Sequence, residues 1–288
     1  MGKLAATGWG KNVVRIDSHQ HFWVYSPADY PWIQQGTVLE RSFLPNDLVP
    51  LLQTAGIDSC IAVQARQSLS ENAFLSQLVA ENETVGGFVG WIDLRSADVE
   101  RQAQEMKNLV GAVGVRHVVQ DEPDLEFMSR DPFRRGIAAL RPHKLVYDIL
   151  IYERQLDDAI RLVRDFPDQT FVLDHIAKPK IKSNEIQVWR SKMVELSHYG
   201  NVSVKLSGML TEADQQTWTL EQLLPYWEVV LEAFGTDRIL YGSDWPVVLL
   251  AGEYTLWVEI VTQWLSRLSE PDRGKIWGGN AERIYFGG

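Results

Sequence analysis

The chain of 288 residues has a single cysteine, Cys60, which excludes an internal disulfide. Cys60 lies in the apolar run Ser59-Cys60-Ile61-Ala62-Val63, where a small buried side chain is its expected role. No segment approaches the roughly 18 uninterrupted apolar residues of a membrane span. The opening residues, through Trp9 and Gly10, carry no apolar core of a signal peptide, so a cytoplasmic protein is expected, without a membrane partner. There is no excess of basic residues either. Lys and Arg number 28 against 38 Asp and Glu, for a net charge of −10 with the signs interspersed. That excludes the basic footprint a nucleic-acid partner requires. No Gly-x-Ser-x-Gly elbow is present, which argues against a serine acyl-enzyme. Low-complexity tracts and composition breaks are also missing, so residues 1–288 read as one domain.

What the chain does have is a series of short, β-branched apolar runs, each ending in polar residues. They cover residues 13–17, 59–64, 87–92, 111–116, 144–148, 170–174, 201–206 and 238–242. Each has the length and residue types of a buried strand. Segments of helical spacing lie between them, among them 45–55, 72–80, 99–109, 156–164, 188–197 and 225–234, with 272–286 as a terminal helix. Several open on helix-start signals, such as Leu44-Pro45-Asn46-Asp47 and Glu153-Arg154-Gln155. Eight strands alternating with helices predict a parallel sheet with crossovers, and eight is the number that closes a (β/α)₈ TIM barrel with a solid interior. The other architecture is an open doubly wound sheet, but no Gly-x-Gly-x-x-Gly follows the first strand.

In such a barrel, chemistry sits where strands end. The first run continues Asp17-Ser18-His19-Gln20-His21, and two His one residue apart on an extended segment point to the same side. The sixth ends Leu173-Asp174-His175 and the eighth Gly242-Ser243-Asp244. Taken singly, His175 could be a core histidine and Asp244 a helix cap. Together with His19 and His21 they form a candidate catalytic set. Arg116 and Lys205, near strand ends, are candidates to hold a substrate carboxylate or polarise a carbonyl, with an internal salt bridge as the alternative. His117 would point away from Arg116 on a regular strand.

The block from Ile16 to Trp23, with Val172-Leu173-Asp174-His175-x-x-Lys178-Pro179, Val204-Lys205-Leu206-Ser207-Gly208 and Arg238 to Pro246, resembles the amidohydrolase superfamily. The similarity is narrowest to its sugar-lactonase branch, of L-fuconolactonase and L-rhamnono-lactonase type and related to the 2-pyrone-4,6-dicarboxylate lactonase. It runs from the first strand to the segment Asn280-Ala281-x-Arg283. Two-metal members carry a carboxylated Lys or a Glu near the end of strand four or five. Here those ends read Val115-Arg116-His117 and Val146-Tyr147-Asp148-Ile149, so a two-metal site is not expected.

The resemblance leaves two cofactor options open. One is a single divalent ion, Zn²⁺ first, on His19, His21 and Asp244 with or without His175. The other is a metal-free site in which the same His residues act as hydrogen-bond donors. Either way the resemblance implies opening of an aldonolactone, a small-molecule substrate. Asp244 would activate water and the three His would polarise the carbonyl. Trp23, Tyr25, Trp32, Trp91 and Trp245 fall near strand ends and are expected to offer faces to a sugar, whereas Trp227 and Trp257 read as packing. Two alternatives stand beside this: a metal-dependent decarboxylase of an aromatic or unsaturated acid, and a non-catalytic sugar-acid binder.

Overall fold

A computed structural model describes residues 14–287, so the opening residues, with Val13 of the first apolar run, lie outside it. Eight strands form one parallel sheet in sequence order: β1 (Ile16–Gln20), β2 (Ser59–Val63), β3 (Val85–Gly90), β4 (Ala112–Val118), β5 (Val146–Leu150), β6 (Phe171–Leu173), β7 (Val202–Leu206) and β8 (Ile239–Tyr241). The ends meet through a parallel bridge between Gln20 and Trp245. There the Asp244 N–H donates to the His19 carbonyl at 2.8 Å and the His21 N–H to the Trp245 carbonyl at 2.7 Å. The (β/α)₈ barrel is therefore closed at its catalytic end by the residues expected to carry chemistry.

The helices are α1 (Pro45–Ala55), α2 (Leu69–Glu81), α3 (Val99–Asn108), α4 (Asp131–Leu140), α5 (Leu156–Asp165), α6 (Gln187–Ser197), the short α7 (Met209–Glu212), α8 (Leu220–Phe234), α9 (Tyr254–Leu265) and α10 (Glu270–Gly274). None is long and apolar enough to cross a membrane. Several boundaries differ from expectation for local reasons. Pro225 reads as a helix start, yet α8 begins at Leu220, because Gln222 Oε1 accepts the Thr219 N–H at 3.1 Å. Ser68 caps α2 by accepting the Ser70 N–H, so the helix begins at Leu69, three residues earlier than the apolar spacing suggests. Helix α4 forms where Pro132 and Gly136 weaken the helical pattern. The expected terminal helix is α10 followed by two wider, π-helical segments, Lys275–Gly279 and Glu282–Phe286.

Two apolar layers result. The larger lies between sheet and helices, and a smaller one fills the barrel, drawn from Ile16, Ile61, Val63, Val89, Val172 and Leu240 among others. Tyr285 from the terminal segment joins the inner layer and donates its hydroxyl to Asp148 Oδ1 at 2.8 Å. Above those residues the interior turns ionic. In the sheet register Arg116 pairs with Asp148, and Lys205 with Leu240, so Arg116, Asp148 and Lys205 share the inward face. Lys205 Nζ lies 2.5 Å from Asp148 Oδ2 and 3.0 Å from Asp174 Oδ1, and all three side chains are fully buried. Removing one partner of a buried ion set leaves an uncompensated charge. Lys205→Met is therefore expected to lower unfolding free energy by about 3–5 kcal/mol. Urea unfolding measures this, and a change below about 1 kcal/mol would mean the network contributes no more than surface pairs do.

Candidate active site

Strict alternation along β1 from the inward Ile16 would turn Ser18 and Gln20 inward. Instead the register against β2 shifts between Asp17 and Gln20, and His19 and His21 face the interior. Asp17 holds the irregular segment. Its Oδ1 accepts the N–H of His19 at 3.2 Å and of Ser243 at 2.9 Å, and its Oδ2 accepts the Tyr254 hydroxyl at 3.2 Å. Burial raises the Asp17 carboxyl to about 6 despite those donors.

The four predicted residues come together. His19 Nε2 is 3.2 Å from His21 Nε2, and His21 Nε2 is 3.3 Å from Asp244 Oδ1. His175 Nε2 and His19 Nε2 each lie 3.8 Å from the same oxygen. The outer partners orient the rings. His21 Nδ1 is 2.8 Å from the Val63 carbonyl, which can only accept, so Nδ1 carries a hydrogen. Arg116 directs an N–H at His19 Nε2 from 3.3 Å, and His19 Nδ1 lies 3.2 Å from Lys205 Nζ and 3.3 Å from Asp174 Oδ1. The Nε2 atoms of His19 and His21 and a carboxylate oxygen thus face one point.

That arrangement calls for a cation, either a proton or a metal ion. Four ligands at about 2.1 Å from Zn²⁺ would stand about 3.4 Å apart, close to the separations here. The donor set therefore fits one divalent ion on His19, His21 and Asp244, with His175 adjacent. A second cluster, His19, Asp174 and His175, is also close enough, but the Lys205 and Arg116 cations already occupy Asp174.

Burial dominates the electrostatics. It holds the His19 and His175 imidazoles well below the usual histidine range, against the pull of Asp174 and Asp244. Burial alone would raise Asp174 and Asp244. Their neighbours outweigh it, Lys205 foremost for Asp174 and His175 with His21 for Asp244, so both carboxyls titrate below the usual range.

His175 sits in unusual backbone. Residues 175, 176, 177 and 178 have φ of 51°, 49°, 61° and 46°, four consecutive left-handed residues with none glycine, and Asp244 adds another at 59°. Left-handed conformation costs about 1–2 kcal/mol per residue. Burial of Ile176 and Ala177 opposes that cost, with the Trp189 Nε1–H on the Ile176 carbonyl at 2.8 Å and a 2.9 Å hydrogen bond between His175 Nδ1 and Ser207 Oγ.

A cavity of about 720 Å³ opens over this cluster, its wall including His21, His175, Asp244, Arg116, Trp32 and Lys178. Not every expected contact is there. Lys205 does not reach the cavity, because Asp148 and Asp174 hold its ammonium inside the barrel. Trp23 is sealed against Phe43, Tyr30 and Trp32, with its indole N–H on the Arg41 carbonyl at 2.7 Å. Trp245 is buried against Phe22 and Phe43, and Tyr25 lies beside Ser42 off the cavity wall. Of the expected aromatics in the wall, Trp32 alone is present. His117 points outward to Glu122 at 2.8 Å, as alternation requires. Asp244 caps no helix with its side chain.

Sequence reasoning passed over Asp17, Asp174, Ser207 and Lys178, which stand inside the quoted motifs, and Glu71, which does not. Glu71 is buried and accepts the N–H groups of Ala65 and Arg66, both at 2.9 Å, shaping the cavity's β2–α2 edge.

The family model described as Amidohydrolase matches residues 16–287, and the chain belongs to that family. It is 40% identical over 287 residues to an L-fucono-1,5-lactonase of Burkholderia multivorans, covering 94% of this chain and 96% of that one. An L-fucono-1,5-lactonase of Burkholderia ambifaria is 34% identical, over 94% and 95% of the two chains. The crystal structure of a Burkholderia multivorans amidohydrolase with bound Zn superposes with a TM-score of 0.91 at 40% identity, covering 94% of this chain and 99% of that chain.

Two predictions follow from the geometry. Gly208 has φ 68°, and a Cβ there would stand 2.7 Å from the His175 ring. Gly208→Ala should displace His175 and lower turnover about 10²-fold, with unchanged activity as the contrary result. Burial raises the Glu71 carboxyl from 4.5 to about 7. A raised acid contributes stability that is complete below pH 4.5 and lost as pH rises through 7, here about 3 kcal/mol. Thermal melts between those pH values should fall more steeply for the wild type than for Glu71→Gln, and parallel melts would remove the assignment.

Proposed function

We propose that the chain is a single-domain lactonase that opens sugar-acid lactones, aldonolactones of the L-fucono and L-rhamnono kind. One observation carries this reading: two imidazoles and a carboxylate line a single cavity of about 720 Å³. That volume suits a monosaccharide-sized ligand, and the two Burkholderia relatives above are named L-fucono-1,5-lactonases.

A lactone is a cyclic ester, so opening it needs an activated water and a place for charge on the carbonyl oxygen. Asp244 is the general base. Its surroundings keep it ionised, and its position beside His21 and His175 lets it take a proton from water in the cavity. His175 and the Arg116 N–H face the carbonyl and take up its developing negative charge. Asp174 and Lys205 flank His19 Nδ1 and hold its ring in place. A divalent ion held by His19, His21, Asp244 and His175 would supply Lewis acidity and a more acidic water. As the ring C–O bond breaks, protonated Asp244 returns its proton to the departing oxygen. Trp32 offers an aromatic face to the sugar from the cavity edge.

The test is hydrolysis of an aldonolactone panel followed by a pH indicator, with enzyme stripped by chelator and with enzyme supplied with Zn²⁺. Turnover of one or two deoxy-sugar lactones is expected, with a loss of about 10²–10⁴-fold in Asp244→Asn. Activity that falls with chelator and returns with Zn²⁺ assigns the cation. Activity indifferent to both assigns the oxyanion to protein donors. A panel untouched by either preparation would sink the lactonase reading.

A further inference from the structure

The cavity wall holds one group for which the scheme above has no use. Three Lys or Arg side chains line it among the described residues: Arg66, Arg116 and Lys178. Arg66 is tied to Asp29 and Arg116 to Asp174. Among the described residues the Lys178 ammonium donates no hydrogen bond; it stands 3.8 Å from Glu212 Oε1 and 5.5 Å over the centre of the Tyr152 ring. Leaving an ammonium half-satisfied at the edge of a low-dielectric cavity has a cost, unless a ligand completes it.

The backbone places this cation deliberately. The Lys178 N–H donates to the His175 carbonyl at 2.8 Å, closing a tight turn of i to i+3 type. In such a turn, side chains three residues apart eclipse one another, so His175 and Lys178 emerge on the same face, and both line the cavity. The four left-handed residues are what aim the pair, and strain of this kind gathers at functional sites. The two differ in depth. The His175 side chain is 3% exposed and that of Lys178 18%, so the cation sits nearer the cavity entrance.

Ester opening develops negative charge twice, first on the carbonyl oxygen and then on the departing ring oxygen. His175 and Arg116 serve the first position, deep in the site. Resting on the lactonase reading, we propose that Lys178 serves the second: its ammonium hydrogen-bonds the ring oxygen of the lactone and stabilises the alkoxide as the C–O bond breaks. The covalent balance is unchanged. Water adds to the carbonyl carbon, the ring C–O bond breaks, and the proton that Asp244 removed ends on the ring oxygen, which Lys178 steadies meanwhile without losing its own. Glu212 is a positioning residue that keeps the ammonium on that side.

The test varies the leaving group. The substrates are the best aldonolactone of the panel, whose leaving oxygen is an alkoxide, and dihydrocoumarin, a lactone whose leaving oxygen is a phenoxide that needs little help. For Lys178→Met the expected result is a kcat loss of about 10²-fold on the aldonolactone with KM within about threefold, and less than about fivefold loss on dihydrocoumarin. Lys178→Arg should recover most of the aldonolactone rate. Equal losses on both lactones would mean general damage to the site and would overturn the proposal. So would a loss confined to KM, which would make Lys178 a binding contact alone. If the wild type opens dihydrocoumarin too slowly to compare, the kcat and KM split on the aldonolactone and the Arg rescue decide. Wild type that opens no aldonolactone refutes the lactonase reading itself, a result distinct from any of these.

Discussion

The ion network of Lys205, Asp148 and Asp174 inside the barrel is the constraint on which the site rests. Lys205 bridges two buried carboxylates that would otherwise repel in a medium of low dielectric. Asp174, kept ionised by that cation and by Arg116, stands with Lys205 against His19 Nδ1, while His19 Nε2 faces His21 and Asp244. The terminal segment reaches the same network through the Tyr285 hydroxyl on Asp148. Stability and the placing of a site histidine therefore depend on one set of charges. Asp174 cannot also be offered freely to a metal, which favours one cation position over two.

Above this rigid base, the site departs from regular backbone where aim matters most. The register shift in β1 turns both His19 and His21 inward, the left-handed turn sends His175 and Lys178 to one face, and Asp244 is itself left-handed. Each departure is anchored by fully buried neighbours: Asp17 and Tyr254 under β1, and Ser207 and Trp189 around the turn. A scaffold with that many internal hydrogen bonds can carry local strain without losing its fold. The loops add an outer edge, where Trp32 donates to the Ala65 carbonyl at 3.0 Å and Arg66 meets Asp29 across the mouth.

The barrel was legible because its strands are short β-branched runs of regular spacing, and the four site residues because polar groups at strand ends are few. Boundaries were harder. Pro225 looked like a start because proline favours a first turn, but the Thr219–Gln222 pair begins the helix earlier. The aromatics misled for a similar reason: Trp23 and Trp245 lie close to the site in sequence, yet their large apolar surfaces are buried against Phe43. Lys205 was a candidate for the mouth, and two inward carboxylates from other strands claim it instead.

Sequence alone determined the class of fold, the parity that sets Arg116 inward and His117 outward, and the identity of the residues that meet at the strand ends. These follow from period and residue type, which are local. Tertiary structure decided which groups are free to act. Whether Lys205 is a ligand contact or a counter-ion, whether a tryptophan is platform or packing, and whether Lys178 faces a cavity depend on partners brought from distant strands and loops. Burial and charge pairing are properties of that assembled neighbourhood, which no short stretch of the chain contains.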